Sequence, residues 1–230
     1  MSNLSKRTKY TRNLIIKSTY TLEESIKILK QTSTAKFIES AEAHFCLNID
    51  TKYSDQQLRT TVTLPRGTGK EIRIAVLSTD STNSKEILDA GATVVGSNEL
   101  IEEISVGNID FDLLLTTPEM MPHLTKLGKI LGPRGLMPST KAGTVTTNIQ
   151  KTLKEFKAGK IECRADKTGV VHILFGKMNF TEEALSENLR SVCNSIQSNK
   201  PTGVKGRYLK TFKICTTMGP SINIDCNTLI

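Results

Sequence analysis

The chain has 230 residues, enough to bury a sizeable core as one large domain or two modest ones. Its 31 Lys and Arg against 23 Asp and Glu leave a formal net charge of +8, which favours a polyanionic partner, and no apolar run approaches the ~20 residues that span a bilayer. The basic, polar start MSNLSKRTKYTRN lacks the apolar core of a secretory signal, and five scattered cysteines without a CxxC pair (Cys46, Cys163, Cys193, Cys215, Cys226) read as reduced, mostly buried thiols.

Thr21-Leu22-Glu23-Glu24 forms a capping box, and Leu22, Ile26 and Leu29 follow at helical spacing, which predicts a first helix ending near Gln31. From Glu42 to Asp50 the residues Ala43, Phe45, Leu47 and Ile49 alternate with polar ones, the pattern of a strand with one face on a core and one face open. Leu58 to Leu64 repeats it, and the two strands are expected to pair as antiparallel neighbours across Lys52 to Gln57.

Beyond Pro65-Arg66-Gly67-Thr68-Gly69 the texture changes, because Ile72 to Leu77 is apolar on nearly every residue, as buried parallel strands are. A helix over 84–91, a strand over 93–96, a helix over 98–105, a strand from Phe111 to Thr116 and a helix opened by Pro118 are predicted next. Strands alternating with helices imply a parallel, doubly wound sheet. Met121 to Val145 then gathers glycine, proline and the cations Lys126, Lys129, Arg134 and Lys141, with no acid. Leu127, Ile130, Leu131, Leu136 and Met137 argue against disorder, so a fixed, basic, loop-like surface facing an anion is expected. Asn148 caps a helix with Ile149, Leu153 and Phe156 inward and Gly159 as its stop.

From Ile161 the alternation returns, and a hairpin is predicted with its turn at Asp166-Lys167-Thr168-Gly169. Thr181 opens a helix with Leu185, Leu189, Val192 and Ile196 on one stripe, and strands over 206–217 and 222–226 finish the chain. The economical architecture is a two-domain α/β fold. Residues 1–67 and 160–230 make a discontinuous α+β domain, into which a Rossmann-like three-layer α/β domain over 68–159 is inserted. Gly67, Gly69 and Gly159 lie near the two crossovers, where they would form a hinge.

Gly67-Thr68-Gly69-Lys70 invites a phosphate-loop reading, but Leu64 stands where a Walker loop needs its first glycine and Glu71 where it needs Ser or Thr. No GxGxxG follows the Ile72 to Leu77 strand. His44, His123 and His172 fall in different segments without HxxxH or HExxH spacing, and no serine sits in a GxSxG elbow, so no catalytic residue, metal or cofactor is expected. RNA fits better, because Lys36, Arg66, Arg164, Lys167, Lys205, Arg207, Lys210 and Lys213 on strands and turns can neutralise phosphates. Thr216-Thr217-Met218-Gly219-Pro220 carries a hydroxyl-rich strand end into a glycine turn suited to a sugar edge and a 2′-hydroxyl. Aromatics are few, at 5%, which points to recognition of folded RNA by shape and backbone rather than by base stacking.

Leu127-Gly128-Lys129-Ile130-Leu131-Gly132-Pro133-Arg134-Gly135-Leu136-Met137-Pro138 closely resembles the signature of the bacterial and organellar ribosomal protein L-one family, from the mobile stalk of the large ribosomal subunit. Lys36-Phe37, Leu64 to Lys70, Lys157 to Ile161, Lys205-Gly206 and Thr217 to Pro220 extend the resemblance over nearly the whole chain. It implies the same split layout, no catalysis, and a protein that is monomeric when free and joins the large subunit without any membrane. It also implies direct binding of large-subunit rRNA through Lys36, Phe37, Glu42, Asp166, Lys167, Thr168, Thr217, Met218 and Gly219. A second RNA-facing loop would carry Lys129, Arg134 and Lys141, and the family helps deacylated tRNA leave the exit site. Some members repress their own mRNA. Tyr53, Thr60, Arg66, Thr140 and Ser221 replace the usual lysine, glycine, histidine, proline and glycine. Richness in Ile, Lys, Asn and Thr fits a plastid-encoded protein, with a bacterial cytoplasm as the alternative. The rival functions are a phosphate- or nucleotide-handling enzyme using residues 68–159, and a free messenger repressor.

Overall fold

The computed structural model describes residues 5–53, 55–78, 84–201, 203–204 and 206–226. Lys205, read above as a phosphate-neutralising cation, lies outside them. The first elements are α1 (Lys6–Asn13), α2 (Leu22–Thr32), β1 (Ser40–Leu47), β2 (Arg59–Thr63) and β3 (Ile74–Leu77). Next come α3 (Ser84–Asp89), β4 (Val94–Gly96), α4 (Asn98–Val106), β5 (Leu113–Thr116), α5 (Met121–Leu124), α6 (Gly128–Leu131) and α7 (Ile149–Lys157). The chain closes with β6 (Lys160–Arg164), β7 (Val170–Lys177), α8 (Glu182–Ser198), β8 (Leu209–Thr216) and β9 (Ile222–Ile224). Together they make a mixed α/β fold with two compact units, Met1–Gly69 with Ile161–Ile230, and Lys70–Lys160.

The first unit is built on a four-stranded antiparallel sheet in the order β7-β1-β8-β9. On β1 the residues Ala41, Ala43, Phe45 and Leu47 are buried and those between them are half-exposed, so the alternation does separate a core face from an open face. Phe45 stacks on Phe212 of β8, with ring centroids 4.3 Å apart. Two helices cover the core face. α2 carries the full capping box of Thr21 and Glu24, and α8, opened by Thr181 accepting from the Ala184 amide, buries Leu185, Leu189, Val192 and Ile196. Each such aliphatic side chain contributes about 1.5–3 kcal/mol by leaving water.

Two strand pairings differ from expectation. β1 lies between β7 and β8, while β2 pairs with β6 in a separate two-stranded sheet, so Glu42–Asp50 and Leu58–Leu64 are not neighbours. A period of two fixes which face a strand buries and leaves its partner open. The link between them folds on itself instead of reversing tightly, with the Asp50 amide donating to Gln56 Oε1 (2.9 Å) and the Lys52 amide to Asp50 Oδ1 (3.1 Å). The predicted 166–169 turn is present, but its arms diverge into different sheets. β6 leaves with β2, and β7 joins β1, the arms meeting in a single antiparallel bridge between Ala165 and Val171.

In the second unit β4-β3-β5 form a three-stranded parallel sheet. All four residues of β3 are fully buried, as its unbroken apolar run requires. One core lies against α4, α5 and α6 through Ala75, Leu77, Ile104, Leu124 and Leu131; the other lies against α3 and α7 through Ile74, Val76, Ile87, Leu153 and Phe156.

Much of the segment from Met121 to Leu136, read as loop-like, is a series of short helical turns: α5, a 3-10 turn over Thr125–Leu127, and α6. Leu124, Leu127 and Leu131 recur at helical spacing and are all buried, a periodicity hidden by Pro122, Gly128 and Gly132. Gly135, at φ 72°, ends the run in a left-handed conformation, and the Leu136 amide donates back to the Leu131 carbonyl at 3.0 Å, the hydrogen bond of a Schellman close.

Candidate nucleic-acid interface

The turn after β8 and the segment before β1 are held together by a carboxylate that the sequence reading passed over. Glu39 is 1% exposed; its Oε1 accepts from the Ala35 amide at 3.0 Å and its Oε2 from the Met218 amide at 3.2 Å. Burial pushes the Glu39 carboxyl up, but the nearby Thr216 hydroxyl together with hydrogen bonds from the Ala35 and Met218 amides outweighs that and holds it below the usual carboxylate range. The Ser40 amide donates to Thr217 Oγ1 (3.0 Å), and the Thr217 amide donates to the Ser40 carbonyl (3.2 Å). At Gly219 a side chain would run into the Thr216 hydroxyl. The result is a fixed platform from which Phe37, 54% exposed, and Met218, 53% exposed, face solvent, with Lys36 on the same segment.

Asp166, Lys167 and Thr168 form a second group. Asp166 Oδ1 accepts from the Thr168 amide (2.8 Å), the Thr168 hydroxyl (2.7 Å) and the Val170 amide (2.8 Å), which hold its carboxyl below the ordinary range, the Val170 bond first. The turn closes on β1, where the Leu47 amide donates to the Gly169 carbonyl at 2.9 Å. Beside it opens a cleft of about 650 Å³ lined by Thr51, Gln57, Arg59, Arg164, Asp166 and Lys167, among other residues. Arg59 and Thr51 had no mark in the sequence; the β2–β6 pairing brings Arg59 here, with Nε 2.6 Å from Glu162 Oε1, and the Thr51 hydroxyl donates to the Lys167 carbonyl at 2.8 Å.

The two groups sit at opposite ends of β1. Ala41 pairs with Thr216 at one end and Cys46 with Val170 at the other, a separation of about 16 Å at the usual rise of ~3.3 Å per residue. Glu42, half-buried on the open face, lies beside the first group, opposite Cys215. Lys36, Phe37, Glu42, Thr217, Met218 and Gly219 are therefore gathered at one end, and Asp166, Lys167 and Thr168 at the other.

Lys129, Arg134 and Lys141 are exposed on the fixed turns of the parallel-sheet unit, and among the described residues no acid lies within ion-pair distance of them. Arg66, expected to neutralise phosphate, is instead committed to Glu187 through Nε–Oε2 at 2.7 Å and Nη2–Oε1 at 3.2 Å. Gly67, Gly69 and Gly159 have φ of 67°, 69° and 111°, a region that disfavours any side chain. Gly67 is anchored as well: the buried Asn188 amide donates to its carbonyl (2.9 Å) and to that of Phe175 (2.8 Å), and accepts from the Arg66 amide (3.0 Å).

Residues 29–220 match the family model described as Ribosomal protein L1p/L10e family, a span that contains both groups and the basic turns. The chain is 59% identical to large ribosomal subunit protein uL1c of Trieres chinensis over the full length of both. It is 56% identical to the protein of the same name from Guillardia theta, over 98% of this chain and 96% of that one. To large ribosomal subunit protein uL1 of Prochlorococcus marinus (strain MIT 9515) it is 55% identical, over 100% of this chain and 97% of that one. Agreement this extensive, running through the clasped platform, the 166–169 turn and the glycine-closed basic turns alike, means that the chain belongs to the ribosomal protein L1p/L10e family.

Proposed function

We propose that this chain is a non-catalytic component of the large ribosomal subunit that binds large-subunit rRNA directly at the stalk. The observation that carries the reading is the Glu39-clasped platform, which fixes the backbone that presents Phe37, Thr217 and Met218 and so lowers the ordering cost on binding. Hydroxyls, amides and apolar tips at fixed positions suit ribose edges and a folded backbone, and Lys36 and Lys167 add phosphate neutralisation. Asp166 and Thr168 bond each other, so their part is to shape the turn that offers Lys167.

The finer layout belongs to the same proposal. Residues 1–67 and 160–230 act as the rRNA-binding domain, and 68–159 as a Rossmann-like insertion, for which the parallel order β4-β3-β5 with helices on both faces is the support. Gly67, Gly69 and Gly159 are its hinge positions, and Lys129, Arg134 and Lys141 its second RNA surface, through which the protein assists release of exit-site tRNA. Repression of its own messenger follows if the leader RNA copies the rRNA shape. The place of work is a plastid ribosome, a reading supported by the likeness to uL1c of Trieres and Guillardia, with a bacterial cytoplasm as the alternative given the uL1 relatives of Prochlorococcus. The nucleotide-enzyme reading has no support of its own, since the family match spans the parallel-sheet unit too.

Filter binding of the full chain to a stalk-type rRNA fragment tests the proposal. Met218→Asp should weaken binding at least tenfold by setting a carboxylate against phosphate, and Thr217→Val by removing the hydroxyl that fixes the turn, with far-ultraviolet circular dichroism unchanged. Equal affinity for the fragment and an unrelated hairpin at moderate salt would refute it.

A further inference from the structure

The open face of the four-stranded sheet carries His44, His172 and Cys215, which RNA binding through its two ends leaves unused, and they lie beside Glu42 of the first group. Strand pairing sets His44 opposite His172, and Glu42 opposite Cys215, although the four residues come from three distant segments. His44 Nε2 lies 3.2 Å from Cys215 Sγ and 3.9 Å from Glu42 Oε2, and the three donor atoms all fall within 4.8 Å of one another. On the other side of the ring His44 Nδ1 is 2.8 Å from His172 Nδ1, and His172 Nε2 is 3.8 Å from Asp166 Oδ2.

We propose that Glu42, His44 and Cys215 form a binding site for Zn²⁺, with a water as the fourth ligand. A tetrahedral Zn²⁺ held at about 2.0–2.3 Å by nitrogen, oxygen and sulfur sets its donors about 3.3–3.6 Å apart, and the observed 3.2 and 3.9 Å straddle that spacing. Small rotamer adjustments on a rigid ladder close the difference. A thiolate beside an imidazole selects Zn²⁺ over Mg²⁺ or Ca²⁺, which take oxygen. All three side chains are half-buried, so the site is reachable from solvent and partly shielded from it.

The neighbouring ring completes the design. Of two Nδ1 atoms at 2.8 Å one must donate. With a metal on His44 Nε2, the His44 proton resides on Nδ1 and is donated to His172 Nδ1. His172 then carries its own proton on Nε2, the side that faces Asp166. Metal-bound histidines are oriented in this way by a partner on the second nitrogen, and His172 is accordingly a positioning residue. Burial and the neighbouring His172 already keep His44 toward its neutral, ligating form, whereas burial and Glu42 push the Cys215 thiol up, so Zn²⁺ must displace one proton from sulfur to solvent.

The test uses the reduced full chain with Co²⁺ and then Zn²⁺, and it does not depend on the rRNA assignment. One Co²⁺ per chain should bind with a thiolate-to-cobalt charge-transfer band in the near ultraviolet. Cys215→Ser should abolish the band, Glu42→Gln should weaken binding about tenfold, and His172→Asn should weaken it about tenfold while keeping the band. In the unaltered chain Zn²⁺ should slow iodoacetamide alkylation of Cys215 at least tenfold, read by mass spectrometry, and leave Cys46 unaffected. Absence of the band, its survival in folded Cys215→Ser protein, or equal alkylation of Cys215 with and without Zn²⁺ would overturn the proposal.

Discussion

Glu39 shares its parity with Ala41, Ala43, Phe45 and Leu47, the residues that β1 turns toward the core. An acid at that parity is a signal in itself, because a carboxylate is buried at tolerable cost when amides and hydroxyls meet it. Glu39→Gln should cost about 1–3 kcal/mol at neutral pH, measured by urea denaturation, since one buried donor loses its charged acceptor. The folded-state pKa lies below the ordinary 4.5, so the ionised carboxyl is the form that folding favours. Its contribution is complete above 4.5 and drains away as pH falls below that value, and the stability gap between the two proteins should narrow there. The paired rings were legible by type but not by place: His44 and His172 lie 128 positions apart, and only the β1–β7 register joins them. Asn188 gave no sign at all, because an asparagine in a helix looks solvated until its three partners are known.

At the level of elements, faces were readable and partners were not. The alternation in β1 named Ala43, Phe45 and Leu47 as buried but missed Ala41 and ran on to Ile49, which lies past the strand and is half-buried, and the unbroken apolar run of β3 named a strand covered on both sides. Which strands lie side by side depends on the free energy of the whole sheet, and that is why β1 took β7 and β8 in place of β2. Turn chemistry was more reliable, since left-handed backbone calls for glycine whatever surrounds it. Two of these glycines separate conformation from crowding. At Gly135 (φ 72°) an added Cβ meets nothing within 4 Å, whereas at Gly169 (φ 79°) it meets Ile49 at 3.2 Å and the Leu47 carbonyl at 3.3 Å. Gly135→Ala should therefore cost about 1–2 kcal/mol in thermal or urea unfolding, the left-handed penalty alone, and Gly169→Ala clearly more.

For the molecule as a whole, the positive charge is unevenly committed. Arg59, Arg66, Arg73 and Lys160 are each tied to an acid, while among the described residues Lys36, Lys129, Arg134, Lys141 and Lys167 have no acid within ion-pair distance. Composition alone predicted an anionic partner but could not say which cations were free to meet it. If Lys167 meets phosphate as proposed, Lys167→Ala should lower the salt dependence of rRNA binding, the slope of log K against log salt, by about one, with little change in which RNA is preferred. Arg66→Ala should leave the slope untouched.

The central strand of the first sheet is encoded near the start of the chain, and both of its neighbours are encoded after the parallel-sheet unit is complete. During synthesis β1 must therefore wait, its edges unpaired, through the emergence of more than a hundred further residues, while the Lys70–Lys160 unit already holds every strand of its own sheet. The chain order thus lets the Lys70–Lys160 unit complete its sheet first, while the surface proposed to bind rRNA is whole only once β7 and β8 have emerged.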